Sequence, residues 1–99
     1  MKPYRLTYSA EADLFEIWAK IASDDISAAD RLENEINEAC QRIANKPDIG
    51  HFRRDLTGKP VRFFTVHRNY LVIYDPASAP LAVIRVLHAA RDVETELGN

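Results

Sequence analysis

Residues 81–92 (LAVIRVLHAARD) decide the fold, because an apolar run there leads directly into charged side chains. The first seven of these residues are apolar apart from Arg85, as in a strand that is covered on both faces. His88, Arg91 and Asp92 follow at once. A buried strand therefore carries a histidine, an arginine and a carboxylate to one end of a sheet, and that end is the first candidate for a functional site.

Two further strands are predicted upstream, at Val61–Val66 and Tyr70–Tyr74, with a tight turn at residues 67–69 between them. Because strands that are joined by short links pair antiparallel, these two and Leu81–His88 should form a meander. Residues 71–73 of the middle strand are apolar without alternation, which indicates burial on both faces. A helical layer can cover one face, and the C-terminal tail or a second chain must cover the other.

The N-terminal segment predicts a short strand followed by a helix. Tyr4–Tyr8 alternates large and polar side chains, as a strand with one buried face does. Ser9 can cap a helix over Ala10–Ala22, since its hydroxyl can accept from an otherwise unpaired backbone N–H. Glu11 and Asp13 then lie in the first turn, where the helix dipole favours negative charge. The apolar stripe of this helix is Leu14, Ile17, Trp18 and Ile21.

A second helix is predicted after a break at residues 23–26. Ser27 and Asp30 resemble a capping box at its start, and it ends at Asn45 because the residue before Pro47 disfavours the helical region. The short break makes the two helices an antiparallel hairpin. The apolar stripe of the second helix is Ala29, Leu32, Ile36, Ala39 or Cys40, and Ile43.

The predicted element order is β-α-α-β-β-β in one domain of residues 1–99, since a chain of this length forms a single core. We therefore expect an α+β fold with a helical hairpin packed on a small, largely antiparallel sheet. Residues 47–60 are predicted to form a loop, and the tail at residues 89–97 is weakly helical. The pattern leaves the position of the first strand in the sheet open.

Charge is distributed unevenly, although the formal net charge is only −2. Residues 1–45 carry five basic and nine acidic side chains, whereas residues 46–92 carry eight basic and four acidic ones. The basic half can face an acidic protein or a nucleic acid, or its arginines can simply be scattered over a sheet. The N-terminus shows no signal-peptide pattern, the chain has one cysteine and no segment is apolar enough for a membrane span, so we expect a cytoplasmic protein.

Neither a metal nor a cofactor is expected from the residue pattern. His51 and His67 lie in predicted loops without the spacing of metal ligands. Cys40 falls on the apolar stripe of the second helix, which is typical of a small buried side chain. The three glycines form no phosphate-binding loop.

Several short motifs, taken in their order along nearly the whole chain, carry a family resemblance. They are Glu11–Leu14 with Ile17-Trp18 (EADLFEIW), Ala29–Leu32, Ile36, Asn45–Gly50 (NKPDIG), Arg62–Phe64, Tyr70–Tyr74 and Val86–Asp92. Their joint order at this length resembles the ParE/RelE superfamily of toxins, and the ParE branch in particular.

The resemblance implies a RelE/ParE-like fold and the toxin of a type II toxin–antitoxin system, of the kind that inhibits growth and stabilises plasmids. It implies a ParD-like antitoxin as partner in a hetero-oligomer, with DNA gyrase as the target and no enzymatic activity. The RelE branch implies the alternative of a ribosome-dependent mRNA endoribonuclease. A third hypothesis is a binding module that only pairs with its antitoxin.

Two sets of candidate site residues follow. Target binding is expected on the basic sheet face and the C-terminal segment, at Arg62, Arg68, Arg85, His88 and Arg91. Antitoxin binding is expected where an amphipathic arm could dock, at Phe15, Ala19, Ala22, Phe52 and Phe63. If the chain were a ribonuclease, the catalytic candidates would be Arg68, Arg85, His88 and Arg91.

The C-terminal candidates also allow structural interpretations. His88 can exchange a proton near neutral pH, or it can bond a backbone carbonyl or position Asp92. Arg85 either points to an open face or pairs with a buried acid. Arg91 and Asp92 can pair locally. Ala89-Ala90 stands where ribonuclease members often carry an aromatic acid/base group, and this departure favours the gyrase hypothesis.

Overall fold

The computed structural model describes residues 3–98, and it shows the predicted α+β architecture. Within that range no helix is both long and apolar enough to cross a membrane. The helices and strands, in chain order, are β1 (Tyr4–Leu6), α1 (Tyr8–Ala22), α2 (Ile26–Asn45), β2 (Arg62–Val66), β3 (Tyr70–Asp75), β4 (Leu81–His88) and α3 (Val93–Leu97).

The four strands form one mixed sheet in the order β1-β4-β3-β2. The predicted meander is confirmed, because β2 pairs with β3 and β3 with β4 in antiparallel register. The strand whose position the sequence left open lies at the edge beside β4 and runs parallel to it, with Tyr4 opposite Leu81. The helical hairpin supplies the long connection that a parallel neighbour requires.

The start of α1 differs from the prediction, because Thr7 and not Ser9 is its N-cap. The Thr7 hydroxyl accepts from the Ala10 N–H at 3.1 Å and donates to the Ile84 carbonyl of β4 at 2.7 Å. This bond to β4 ends the first strand at Leu6. Tyr8, which the alternation placed in that strand, is therefore the first residue of the helix and is 89% exposed.

The N-cap of α2 also lies earlier than predicted. The Asp25 carboxylate accepts from the Ala28 N–H at 3.1 Å, and the helix begins at Ile26. The predicted capping box at Ser27 is thus wrong. An ionised carboxylate in this position satisfies an unpaired N–H and also lies at the positive end of the helix dipole.

One face of the sheet is covered by the helical hairpin. The predicted α2 stripe is confirmed in full, since all its members are buried, whereas on α1 only Leu14 of the predicted stripe is. Ile17, Trp18 and Ile21 are half-buried, and the Trp18 indole N–H donates to Asp30 of α2 at 2.8 Å. The helices therefore pack on each other as well as on the sheet.

The C-terminal tail covers the other face of the sheet. It was one of the two alternatives that the apolar middle strand left open for this face, the other being a second chain. Val93 and Leu97 of α3 pack there against Leu71 and Ile73 of β3. Phe63, an expected antitoxin contact, lies in the same cluster and is only 3% exposed. That expectation is corrected, because β2 turns the ring inward under α3.

The NKPDIG motif is fixed to the sheet by Tyr74, which is fully buried. Its hydroxyl accepts from the Gly50 N–H at 2.9 Å and donates to the Pro47 carbonyl at 2.6 Å. Burial raises the pKa of this hydroxyl, which keeps it a donor. A Cβ at Gly50 would lie 2.4 Å from the hydroxyl oxygen, so the close approach requires glycine.

Candidate binding surfaces

The sequence left two alternatives for Arg85, an open face of the sheet or a buried acid, and the structure shows that it pairs with a buried acid. Its Nε and Nη2 donate to the two oxygens of Asp13 at 2.7 and 2.8 Å, and its Nη1 donates to the Glu96 carbonyl at 2.9 Å. The bond to Asp13 raises the pKa of the guanidinium. Asp13 also accepts the Val86 N–H at 3.0 Å. Because α1 begins at Tyr8, Asp13 lies beyond the first turn in which it was predicted, and only Glu11 lies there. The side chain of Arg85 is 17% exposed and joins α1, β4 and α3.

Arg62 is likewise used within the molecule. Its Nη1 donates to the Gly50 carbonyl at 2.7 Å, and its guanidinium lies 4.3 Å from the ring centre of Phe52. Within the part of the chain that the structure describes, its buried Nε has no hydrogen-bond partner. Arg62 is the first residue of β2 and pairs in register with Tyr74, whereas Arg68 follows the other end of that strand. It therefore lies apart from the other expected target contacts.

The remaining three candidates, Arg68, His88 and Arg91, lie at one exposed end of the sheet, and we call them the terminal cluster. Tyr70 and His88 are opposite each other in register, and their rings meet edge to face with centres 5.2 Å apart. Arg68 lies in the turn that leads into β3, and the N–H of the residue after His88 donates to the Asn69 carbonyl at 2.7 Å. All three members are exposed.

The local bonds in this cluster differ from those expected. His88 Nδ1 accepts the Ala90 N–H at 3.0 Å, so the ring bonds a backbone donor rather than a carbonyl. In the neutral ring Nε2 then carries the proton. Arg91 pairs with Glu96 instead of with Asp92, with its Nε 3.1 Å from the carboxylate. Asp92 is the N-cap of α3.

Two hollows open beside the terminal cluster. The larger, of about 870 Å³, lies between α1 and the end of β4, with apolar walls that include Ile17, Ile21 and Val86. His88 and Arg91 line it on the strand side. The smaller, of about 400 Å³, is lined by three arginines, Arg53, Arg68 and Arg91, and by two acidic residues, Asp92 and Glu94. Sequence reasoning did not select Arg53, because a loop without periodicity gives no indication of where its side chains point.

The exposed face of α1 carries a second apolar stripe, which we call the outer stripe. It consists of Tyr8, Ala12, Phe15, Ala19 and Ala22, at helical spacing. Phe15 is 68% exposed and Ala19 is exposed, whereas Ala22 is half-buried. Tyr8 and Ala12 are members that sequence reasoning missed, the first because it was assigned to the strand.

Phe52, the remaining expected antitoxin contact, lies apart from the outer stripe. The ring is 40% exposed and lies between the guanidinium groups of Arg54 and Arg62, at 4.8 and 4.3 Å. It follows His51, which bridges to β2 at the sheet edge opposite β1. Among residues 3–98, no three His, Cys, Asp or Glu side chains are arranged to hold a metal ion.

Comparisons with known proteins agree with this architecture. The family model described as ParE toxin of type II toxin–antitoxin system, parDE, matches residues 4–93. Toxin ParE1 of Caulobacter vibrioides is 29% identical, over 99% of this chain and 100% of that protein. The structure titled chromosomal ParDE TA system from P. aeruginosa shares the fold, with a TM-score of 0.72 and 18% identity over 86% of this chain and 92% of that one. Because the family model spans nearly the whole chain, the protein belongs to the ParE toxin family of type II toxin–antitoxin systems.

Proposed function

We propose that this toxin inhibits DNA gyrase in the cytoplasm and that the terminal cluster contacts the target. The observation that carries the proposal is the exposure of Arg68, His88 and Arg91 at one end of a well-packed sheet. Arg62 and Arg85 have partners inside the molecule and are left out of the contact set. Exposed arginines at the centre of an interface are frequent energetic hot spots.

The proposed antitoxin contact is the outer stripe of α1. An amphipathic helix of a ParD-like antitoxin could bury Tyr8 and Phe15, and the three alanines of the stripe permit close approach of a second helix. Two large exposed side chains on one helix face are typical of an interaction site. The toxin would then be neutralised in a hetero-oligomer.

A supercoiling assay tests the gyrase proposal. Purified toxin added to gyrase, relaxed plasmid and ATP should block supercoiling or accumulate cleaved DNA. Arg91→Ala should raise the inhibitory concentration about tenfold, which corresponds to about 1.4 kcal/mol. Arg31→Ala, an exposed arginine of α2, is the matched control and should leave inhibition unchanged. Unaltered supercoiling at excess wild-type toxin would rule out gyrase as the target.

The endoribonuclease alternative is supported by one feature of the same cluster. His88 Nδ1 accepts a backbone N–H, so Nε2 carries the proton of the neutral ring, and Arg91 lines the same hollow. Primer extension on mRNA after toxin induction would reveal such activity. Cleavage that disappears in His88→Ala would favour the alternative, whereas intact mRNA in growth-arrested cells would exclude it.

A further inference from the structure

Arg91 stands between the two hollows. Among the residues that the structure describes, it alone lines both of them. His88 shares the larger hollow with it, and Arg68 shares the smaller one. The three members of the terminal cluster therefore form one surface only while the Arg91 guanidinium remains between the hollows.

Glu96 of α3 holds that guanidinium in place. Its Oε2 accepts from Arg91 Nε at 3.1 Å and also from Nη2. The Nη1 group of Arg91 has no hydrogen-bond partner among residues 3–98, and the side chain is 52% exposed. The carboxylate thus fixes one side of the guanidinium and leaves the donors of Nη1 for a ligand.

Glu96 is itself fixed to the body of the protein. Its carbonyl accepts from Arg85 Nη1 at 2.9 Å, and its Oε1 lies 3.6 Å from Arg85 Nη2. Arg85 in turn binds both oxygens of the buried Asp13. A chain of contacts therefore runs from α1 through β4 and α3 to the exposed Arg91.

A second carboxylate lies near the Arg91 guanidinium, on α1. The hydrogen bond to Glu96 raises the pKa of Arg91 most, and the charges of Glu16 and then of Asp13 raise it further. Asp13 is already bound to Arg85, whereas Glu16 is exposed and lines the larger hollow. Exposed ion pairs are weak, so an Arg91 released from Glu96 would move between Glu16 and solvent.

We propose that Glu96 is a positioning residue, which keeps Arg91 between the two hollows so that the target meets a preorganised terminal cluster. This inference rests on the proposed function, in which the terminal cluster contacts the target. A guanidinium that is already fixed loses less conformational freedom on binding, so more of the contact energy appears as affinity. Glu96 acts through Arg91 and does not itself touch the target.

NMR on the free toxin tests the positioning without any target. The heteronuclear NOE of the Arg91 Nε–H group reports motion of the side chain on the picosecond to nanosecond timescale. The wild type and Glu96→Gln should show an ordered Nε–H, since glutamine still offers an acceptor. In Glu96→Ala the value should fall to that of a mobile side chain. An equally ordered Nε–H in Glu96→Ala would overturn the proposal, whatever the target is.

The variants are first compared with the wild type in urea unfolding. If Glu96→Ala does not fold, the pH dependence of the wild-type NOE decides instead. Protonation of the Glu96 carboxylate weakens the same bond, so the Arg91 Nε–H should become mobile as pH falls below the ordinary carboxyl range. An Nε–H that stays ordered at that pH would overturn the proposal.

A double-variant cycle in the supercoiling assay tests the consequence for the target. Glu96→Ala should raise the inhibitory concentration about fivefold, since one long side chain must then be ordered on binding. Added to Arg91→Ala, it should raise the concentration no further, because no guanidinium is left to position. Glu96→Gln should stay within about twofold of the wild type. Glu33→Ala, an exposed glutamate of α2, controls for the lost charge and should inhibit normally.

A merely structural role of Glu96 would give a different pattern. If Glu96→Ala weakens inhibition equally with and without Arg91, or leaves it unchanged, the proposal is overturned. The same cycle is measured on growth arrest after toxin induction, which does not depend on the identity of the target. Intact supercoiling, with the cycle preserved in growth arrest, would reject gyrase but support the positioning role. A wild-type toxin that affects neither would overturn both.

Discussion

At the scale of single residues, the structure separates arginines that hold the fold from arginines that face solvent. Arg85 and Arg68 are both basic side chains in the predicted sheet region, and the sequence treats them alike. The partner of Arg85 is Asp13, which is 72 residues away along the chain. A pairing at that separation depends on how helix and sheet pack, so neither residue type nor spacing could reveal it. The sequence did limit Arg85 to two alternatives, and packing selected the buried one.

Removing Asp13 should destabilise the protein strongly. Asp13→Ala leaves the guanidinium of Arg85 largely buried without its carboxylate, and also frees the Val86 N–H. Loss of one partner of such a pair costs about 3 kcal/mol or more. Urea unfolding measures this change, and the exposed Asp24→Ala is the control. A loss below about 1 kcal/mol would show that the pair does not stabilise the fold.

Gly50 and Gly58 form a matched pair for a packing test. A Cβ at Gly50 meets the Tyr74 hydroxyl at 2.4 Å, whereas a Cβ at Gly58 meets nothing within 4 Å. Gly50→Ala should therefore lower the free energy of unfolding by about 1–3 kcal/mol, as overpacking does. Gly58→Ala should change it by less than about 0.5 kcal/mol. Equal effects in thermal or urea unfolding would contradict the anchoring of the NKPDIG loop by Tyr74.

Arg68 occupies a left-handed backbone conformation, with φ at 65°. Non-glycine residues adopt this conformation at a cost of about 1 kcal/mol, and such costs are often found at functional positions. Arg68→Gly should thus increase the free energy of unfolding by about 0.5–1 kcal/mol while it weakens inhibition of the target. Denaturation and supercoiling assays on the same preparation check both parts. A variant that is less stable, or that inhibits at full strength, would contradict this account of the turn.

At the scale of elements, the periodic patterns predicted the helices and strands, whereas the residues that cap the helices were not predicted. The bounds of β4 and the buried stripe of α2 agree with prediction, because an unbroken apolar run and a repeated helical spacing extend over many residues. The caps at Thr7 and Asp25 were missed, because several residues near each helix start can accept an N–H. At Thr7, tertiary contact with β4 decides among them.

The docking of α3 should weaken at acid pH. Hydrogen bonds from the hydroxyl and N–H of Thr95 lower the pKa of Asp92, and the bond from Arg91 lowers the pKa of Glu96. A carboxyl with a lowered pKa contributes stability in full above its ordinary pKa and loses it as pH falls through the lowered value. After correction for intrinsic exchange, the protection of the α3 amides should therefore decrease below the ordinary carboxyl range.

Substitution of both acids provides the control for that prediction. Asn can still cap a helix and Gln can still bond an arginine, but neither titrates. The double variant Asp92→Asn with Glu96→Gln should show α3 amide exchange with a flatter pH dependence after correction for intrinsic exchange. The same steep dependence in the double variant would mean that other groups control α3.

At the scale of the whole molecule, the two proposed binding surfaces belong to different parts of the fold. The outer stripe lies on α1, whereas the terminal cluster lies at the end of β4 and in the turn before β3. We expect this separation to let the toxin bind an antitoxin at a surface that does not contact the target. Sequence reasoning found members of both surfaces but could not group them, because grouping requires the sheet order.

The most direct test of this separation is the inhibitory concentration in the gyrase supercoiling assay, measured with and without purified antitoxin. Phe15→Glu places a charge in the outer stripe, so the variant toxin should inhibit gyrase like the wild type but resist the antitoxin. Its neutralisation by antitoxin should be about thirtyfold weaker or more, which corresponds to about 2 kcal/mol. Arg68→Ala should show the reverse, with about tenfold weaker inhibition and unchanged antitoxin binding. Wild-type toxin that leaves supercoiling intact, or a Phe15→Glu toxin that antitoxin neutralises normally, would contradict the account.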